Sequence, residues 1–229
     1  MKIIGHIHTD FPEKFGIPRQ SGRIPSLLGY IDFLPEYRQL QAFRGIEDFS
    51  HLWLIWEFHL SSKDNWSATV KPPRLGGNRR MGVFATRSPY RPNNIGLSSV
   101  HLEDFLPESE TGPRLLISGI DMVDGTPLYD VKPYVPYSDC HPDATGGFTD
   151  SIQSEHLDVY FPEELLHMFP SSKRSAIIQL LAEDPRPGFH HDPERIYGIY
   201  FAGFNVRFTI SGKILRVVSV SPIDDCVLR

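Results

Sequence analysis

The chain has little cysteine and no long apolar run, and these two absences limit what it can be. Cys140 and Cys226 are the only cysteines among 229 residues, too few for a disulfide framework. No apolar stretch approaches the roughly 20 residues of a membrane-spanning helix, and residues 1–6 lack the apolar core of a signal peptide. His6 and His8 have no third partner at zinc-like spacing. We therefore expect a cytoplasmic protein that binds no metal.

The motifs of several large enzyme classes are also missing. The sequence contains no Walker A motif, no G-x-G-x-x-G, no H-E-x-x-H, no C-x-x-C and no G-x-S-x-G. A Rossmann methyltransferase or dehydrogenase is disfavoured, because no βα unit opens with a glycine-rich turn. The net charge of −5 argues weakly against binding nucleic acid. However, residues 1–100 are net basic and the remainder is net acidic, which leaves a basic half to meet a phosphate backbone.

Short β-rich runs separated by glycine and proline are the main pattern that is present. They predict strands at 2–8, 27–34, 81–86, 96–105, 115–121 and 128–131. Residues 51–59 are apolar enough to predict a central strand buried on both faces. The period changes to a helical one over 162–183, with a break near Pro170, and three strand-like runs follow. The pattern predicts a mainly β domain at 1–140, built as a barrel or sandwich, a linker at 141–161, and a smaller α+β domain at 162–229.

The segment from Lys71 to Arg91 carries many cations and no acid. Glycine and proline interrupt it throughout, so that only residues 81–86 resemble a strand. Cations on irregular backbone are usually arranged around an anion, although a solvated basic loop has the same composition. We predict an RNA-binding surface here, formed by Lys71, Arg74, Arg79, Arg80 and Arg91.

Two further clusters are candidates for a site. On a strand, Asp130, Lys132 and Tyr134 would share one face and could orient a substrate or transfer a proton; a surface ion pair beside a packed tyrosine is the alternative. Residues 15–20, F-G-I-P-R-Q, form a turn that presents a cation and an amide. A solvated turn explains the second cluster equally well.

Taken together, these segments resemble one family, the TrmO-like tRNA methyltransferases with a TsaA-like domain. The resemblance rests on F-G-I-P-R-Q at 15–20, R-G-I-E-D-F-S-H-L-W at 44–53, R-L-G-G-N at 74–78, M-G-V-F-A-T-R-S at 81–88, R-P-N at 91–93, I-G-L-S at 95–98, V-D-G-T-P at 123–127 and D-V-K-P-Y at 130–134. D-P-R-P at 184–187 and N-V-R-F at 205–208 resemble the family's smaller C-terminal domain. The resemblance is therefore nearly full length.

This resemblance implies a small β-barrel rather than a Rossmann fold, and a homodimer with S-adenosylmethionine near the dimer interface. It implies methylation of N6 of threonylcarbamoyladenosine at position 37 of tRNA. Carried over motif by motif, the cofactor contacts that it implies are Pro18, Arg19, Gln20, His59, Leu60, Arg87, Leu97, Leu128, Tyr129, Asp130 and Val131.

The expected chemistry assigns roles to some of these residues. Arg19 or Arg87 can pair with the carboxylate of the cofactor, and Leu97 and Leu128 can flank its adenine. We expect Asp130 to act as base or orienting group, with Lys132 or Tyr134 stabilising charge on the urea oxygen, unless positioning supplies most of the rate. Two other functions stay open: an RNA-binding β-barrel without catalysis, and a methyltransferase of this fold with another acceptor.

Overall fold

A closed barrel of six antiparallel strands forms the N-terminal part of the computed structural model, which describes residues 1–61, 66–72, 79–150, 156–186, 192 and 194–223. Around the barrel the strands follow the order β1-β2-β7-β6-β3-β8. They are β1 (Gly5–His8), β2 (Leu28–Phe33), β3 (His51–Glu57), β6 (Ile95–Leu106), β7 (Arg114–Ser118) and β8 (Thr126–Pro133). The predicted mainly β fold is confirmed, and its architecture is a barrel.

Strand β3 shows how the barrel divides apolar from polar surface. Leu52, Leu54 and Trp56 are buried inside, whereas Trp53 and Ile55 on the outer face are only half-buried. The outward indole of Trp53 donates from Nε1 to Asp139 Oδ2 at 2.9 Å. The prediction that this strand is buried on both faces is wrong, because a barrel wall has one face inside and the other outside.

A small hairpin and several short turns connect β3 to β6. The hairpin consists of β4 (Thr69–Val70) and β5 (Met81–Gly82), and a 3₁₀ turn follows at Val83–Ala85. The strand predicted over 81–86 is therefore shorter, because the chain turns after Gly82 to bury Val83. Thr86 Oγ1 donates to Val83 O at 2.8 Å and closes that turn. Between β2 and β3 the chain forms 3₁₀ segments at Pro35–Tyr37, Leu40–Phe43 and Ile46–Asp48.

The C-terminal part is a four-stranded sheet with a packed helix. Its strands follow the order β10-β11-β12-β9, and its longest helix begins directly after Pro170, where the break was predicted. A short helix, α1 (Pro136–Asp139), ends the N-terminal part. The elements of the C-terminal part are β9 (Asp158–Tyr160), α2 (Glu163–Leu166), α3 (Ser171–Ala182), β10 (Tyr197–Phe201), β11 (Phe204–Ser211) and β12 (Ile214–Pro222). Strand β9 pairs in parallel with β12, so the predicted linker 141–161 contributes a strand to this sheet. Within the described residues, no helix is long and apolar enough to span a membrane.

The two parts share one continuous apolar core and are also joined by polar contacts. Phe11 from the barrel loop meets Phe201 of β10 with ring centroids 5.4 Å apart. Lys173 forms an ion pair with Asp10, Arg23 pairs with Glu183 at 2.9 Å, and Ser26 Oγ donates to Gln179 Oε1 at 2.9 Å. These contacts fix the loop between β1 and β2, which carries the 15–20 motif, against the C-terminal part.

Gly96 allows β6 to pass under a core tryptophan. Trp56, directly opposite on β3, is 5% exposed, and a Cβ added to Gly96 would lie 2.3 Å from its Cε2. Any side chain at position 96 would therefore occupy the place of the indole. Trp56 also donates from Nε1 to Ser98 Oγ at 3.0 Å, so the same contact sets the position of a polar group.

We predict that Gly96→Ala lowers the free energy of unfolding by about 1–3 kcal/mol, because the added methyl displaces Trp56 from its packed position. Chemical denaturation measures the change. Gly82→Ala is the matched control: it has no atom within 4 Å of the added Cβ, and its φ of −59° suits alanine. The control should change stability by no more than about 0.5 kcal/mol. Similar changes in the free energy of unfolding for both variants would show that the close approach of Trp56 does not require glycine at position 96.

Candidate active site

A wide cleft opens beside the barrel and is bounded by loops from both parts of the chain. Its volume is about 1970 Å³. Small-molecule sites usually occupy roughly 300–1,000 Å³, so the cleft has room for a cofactor and a nucleotide together. The segments that line it are 17–20, 56–61, 67–72, 84–91, 95–98, 121–123 and 145–149.

Seven of the eleven predicted cofactor contacts line this cleft. Three come from the turn after β1, two from the turn after β3, one from the segment after β5 and one from β6. They are Pro18, Arg19, Gln20, His59, Leu60, Arg87 and Leu97. These positions are far apart in sequence, and the closed barrel brings them to one side of the molecule.

Arg87 is joined directly to the 15–20 motif. Its Nη1 donates to Gln20 Oε1, and Gln20 Nε2 in turn donates to Arg19 O at 2.6 Å. Arg19 reaches towards the C-terminal part, where its Nη2 donates to Arg186 O at 3.4 Å. Two cations and an amide therefore converge at one wall of the cleft, an arrangement suited to a carboxylate or a phosphate.

The residues predicted from β8 lie outside the cleft lining. Leu128 is fully buried in the barrel core, and Val131 packs against that core. The side chains of Asp130 and Lys132 are 44% and 60% exposed and pair with each other at 2.9 Å, which places them on one face as predicted. Tyr134 follows the end of the strand, with its ring 5.6 Å from that of Trp53.

Tyr129 of β8 contacts a side chain of the cleft lining. Its hydroxyl donates to Glu57 Oε2 at 2.5 Å. This hydrogen bond to a carboxylate, with burial and the charge of Glu57, raises the pKa of Tyr129 to about 12. Tyr129 is therefore a fixed donor near neutral pH, and it orients the carboxylate of Glu57.

The predicted RNA-binding cations are divided between the cleft and the surface. Lys71 and Arg91 line the cleft, Arg79 and Arg80 are exposed, and Arg74 lies outside the described residues. Two of these cations also hold local structure. Arg80 Nε donates to Thr69 Oγ1 at 2.7 Å, and Arg91 Nη1 donates to Thr86 O at 2.9 Å.

A hydrogen-bonded chain that the sequence patterns did not indicate crosses the barrel wall into the cleft. Trp56 Nε1 donates to Ser98 Oγ at 3.0 Å, and Ser98 Oγ donates to Asp121 Oδ1 at 2.7 Å. Burial raises the pKa of Asp121 from 3.8 to about 6, against the opposing effects of Ser98, a backbone bond from Ser21 and the charge of Arg87. The only local signal was Ser98, which directly follows the predicted contact Leu97.

Two other parts of the lining were also missed. Residues 145–149, predicted as linker, form a 3₁₀ turn at Gly147–Thr149 and close one side of the cleft. Glu183, at the end of α3, reaches the cleft while paired with Arg23. Both lie far along the chain from the motifs, so only the packing of the C-terminal part could reveal them.

The chemical groups of the cleft fit S-adenosylmethionine. This molecule has an adenine, a carboxylate, an ammonium and a sulfonium. Arg19 and Arg87 can bind the carboxylate, Asp121 offers a negative charge for a cation, and Leu97 offers apolar surface, being 55% exposed. No group of three or more His, Cys, Asp or Glu that could hold a metal is present among the described residues.

Comparison with known proteins settles which family has this combination. The model of the tRNA-methyltransferase O N-terminal domain matches residues 6–140, and that of the TrmO C-terminal domain matches residues 154–223. The chain belongs to the TrmO family. The family boundary near 140 coincides with the end of α1, and the second match includes β9.

Relatives in this family match over nearly the whole length. The tRNA (adenine(37)-N6)-methyltransferase of Escherichia coli is 39% identical over 227 residues, which cover 96% of each chain. The putative S-adenosylmethionine-dependent methyltransferase RcsF of Pseudomonas aeruginosa is 44% identical over 227 residues, or 95% of this chain and 96% of the relative. A crystal structure of TrmO from Pseudomonas aeruginosa superposes with a TM-score of 0.75 at 37% identity, covering 96% of this chain and 97% of that one.

The raised pKa of Asp121 has a measurable consequence for stability in this TrmO-family protein. The pKa of Asp121 is about 6 in the folded state and 3.8 in the unfolded chain, so the folded state keeps the carboxyl protonated to a higher pH. The contribution of Asp121 to stability is therefore greatest below pH 3.8 and is lost as pH rises through 6. We predict that Asp121→Asn raises the free energy of unfolding at pH 7 by on the order of 1–3 kcal/mol relative to the wild type. This difference should disappear below about pH 4.

Denaturant titrations at pH 4, 5.5 and 7 measure this difference. Asp104→Asn is the control, since Asp104 is exposed on β6 and bonds only the next backbone amide, Phe105 N, at 2.8 Å. A pH-independent effect of Asp121→Asn would contradict burial as the cause of the raised pKa.

Proposed function

We propose that this protein transfers a methyl group from S-adenosylmethionine to N6 of adenine in tRNA, and that the acceptor is threonylcarbamoyladenosine at position 37. The observation that carries the proposal is the convergence of Pro18, Arg19, Gln20, Arg87 and Leu97 on one cleft large enough for both reactants. Its family and the names of its relatives support methylation of N6 of adenine 37 in tRNA.

The cleft residues suggest how the cofactor is held. Arg87, oriented by Gln20, pairs with the cofactor carboxylate, and Leu97 and Leu60 lie against its adenine. When bound, the cofactor supplies the methyl group on a cationic sulfur. The protein then has to exclude water and to align the acceptor nitrogen, the methyl carbon and the sulfur.

The acceptor nitrogen also has to be activated. In threonylcarbamoyladenosine, N6 joins a urea to the purine, so its lone pair is delocalised and it is a poor nucleophile. Loss of its proton before or during transfer would assist the reaction, and we propose Asp130 as the base or orienting group, with Lys132 or Tyr134 near the urea oxygen. We propose that Lys71 and Arg91, which line the cleft, bind the carboxylate of the threonyl group.

We predict that tRNA with unmodified adenosine at position 37 is almost inert, whereas threonylcarbamoylated tRNA is methylated. Cations and donors arranged for the urea and the carboxylate stay unpaired when plain adenine is bound, and rejection on this basis can reach roughly four orders of magnitude. Single-turnover methylation with saturating cofactor measures the ratio. Comparable rates on both tRNAs would contradict the proposed acceptor and favour another nucleoside for the same fold.

We predict that tRNA affinity falls steeply with salt and that Lys71 and Arg79 account for part of the slope. Changing both to Gln should flatten log affinity against log salt by roughly one unit per lost phosphate contact, with cofactor affinity unchanged. These two are chosen because Arg80 and Arg91 also hold local structure. Lys213→Gln, in the turn between β11 and β12, is the control. An unchanged slope in the double variant would remove the 71–91 segment from the RNA surface.

We further propose a homodimer in the cytoplasm, with the cofactor near the subunit interface. A second copy would explain why Asp130 and Lys132 are exposed on the outer face of β8, away from the cleft of their own chain. Apolar side chains at the cleft are also exposed: Leu60 by 47%, Phe84 by 71% and Leu97 by 55%. Contact with another subunit would cover them. Cys140, exposed as a free thiol, agrees with a reducing compartment.

Complementation between two defective variants tests this arrangement. We predict that Arg87→Ala and Asp130→Asn are each nearly inactive, the first through lost cofactor affinity and the second through slow transfer. Mixed subunits should recover about a quarter of the wild-type rate, since each heterodimer regains one intact composite site. Size-exclusion chromatography with light scattering checks assembly. No recovery in a mixture that has formed heterodimers would show that each site is built from one chain.

A further inference from the structure

We infer that Asp121 binds the ammonium group of the S-adenosylmethionine amino-acid end, beside Arg87, which takes the carboxylate of the same end. Trp56 and Ser98 are positioning residues that hold the Asp121 carboxylate in the cleft. The inference rests on the proposed placement of the cofactor, and it assigns a role to a residue that no motif pointed to.

The geometry that supports this role is a carboxylate fixed at one oxygen. Ser98 Oγ donates to Asp121 Oδ1 at 2.7 Å, and the serine hydroxyl is itself fixed by Trp56 Nε1 at 3.0 Å. Ser98 is 1% exposed and Trp56 is 5% exposed, so this support lies within the barrel wall. Asp121 itself belongs to the cleft lining. Its position is therefore set before any ligand arrives, which lowers the entropic cost of binding.

The charge pattern selects the amino-acid end of the cofactor. Arg87 acts on Asp121 electrostatically, and it is held by its bond to Gln20. A cation and a carboxylate that line one cleft and act on each other electrostatically present the complement of an adjacent carboxylate and ammonium. The sulfonium is also cationic, but it has no N–H, and a carboxylate gains most from a cation that donates a hydrogen bond.

The desolvation of the half-buried Asp121 carboxylate favours a cationic ligand. Its desolvation is not fully offset by the hydroxyl, the backbone amide and Arg87, which is why its pKa is raised to about 6. An ammonium would supply the missing compensation and would favour the charged carboxylate. Cofactor binding should therefore release a proton when the pH is near or below 6, and binding should be strongest between about pH 6 and the ammonium pKa of about 8.

Calorimetric titration with two cofactor analogues separates the groups involved. S-adenosylhomocysteine keeps the ammonium and the carboxylate but has a neutral sulfur, and 5′-methylthioadenosine lacks the whole amino-acid end. At pH 7 we expect Asp121→Asn to lower the affinity for S-adenosylhomocysteine about tenfold or more and to leave the affinity for methylthioadenosine unchanged. Asn keeps an oxygen to accept the Ser98 bond, so the fold is preserved. Asp124→Asn, outside the cleft lining, is the control and should change neither affinity.

The pH dependence gives a second readout. In the wild type, S-adenosylhomocysteine affinity should fall about tenfold from its plateau to pH 5, with proton release that scales with buffer ionisation enthalpy. Ser98→Ala removes a bond that favours the charged form, so it should move this midpoint to higher pH. The other carboxylates and the imidazole in the lining are Glu57, Glu183 and His59. His101→Gln, on β6 outside the lining, is the control and should leave the midpoint in place.

The possible results separate this inference from the proposal on which it rests. If the wild type binds neither analogue, the proposed cofactor cleft is wrong. If both analogues bind and Asp121→Asn leaves the affinity for S-adenosylhomocysteine unchanged, the proposed cofactor cleft is supported and the role of Asp121 is overturned. Equal weakening of both analogues would also overturn it, since that result would place Asp121 at the adenosine or would show a general structural effect.

Discussion

The contact between Trp56 and Gly96 is the constraint on which the site depends. Two strands of the barrel wall pair at this point, and the missing side chain of Gly96 lets the indole lie across β6. The indole fills the core with its rings and gives its only N–H to Ser98, so that no polar group of Trp56 is left without a partner. Because Ser98 in turn donates a hydrogen bond to Asp121, a packing contact in the core fixes the position of a charged group in the cleft.

The cleft itself combines rigid and loop elements. Ser98 and Leu97 lie on β6, which pairs with β3 without interruption from Ile95 to His101, whereas Arg19, Gln20 and Arg87 lie on turns. Those turns are held by side-chain bonds between them and by contacts to the C-terminal part, including Arg23 with Glu183. The C-terminal part therefore supports the site from outside the barrel, which gives its packing a functional consequence.

Sequence alone was sufficient where a local pattern reports on structure. The barrel strands follow from short alternating runs, and the motifs at 15–20 and 81–88 led to Arg19, Gln20 and Arg87, which meet in the cleft. Asp121 could not be found in this way, because it lies in the loop after β7 and gains its environment from Ser98, 23 residues earlier. Likewise, residues 145–149 have the composition of a linker, and they line the cleft only because of tertiary packing.

The central claim is that the cofactor occupies the cleft formed by the 15–20 turn, the 84–91 segment and the start of β6. A crystal structure of the protein with S-adenosylhomocysteine tests it most directly. The account predicts the carboxylate of the ligand at Arg87 or Arg19, its ammonium within hydrogen-bond distance of Asp121, and its adenine against Leu97. Ligand bound along the outer face of β8, beside Asp130 and Lys132 but away from Arg87 and Asp121 of any subunit, would contradict it.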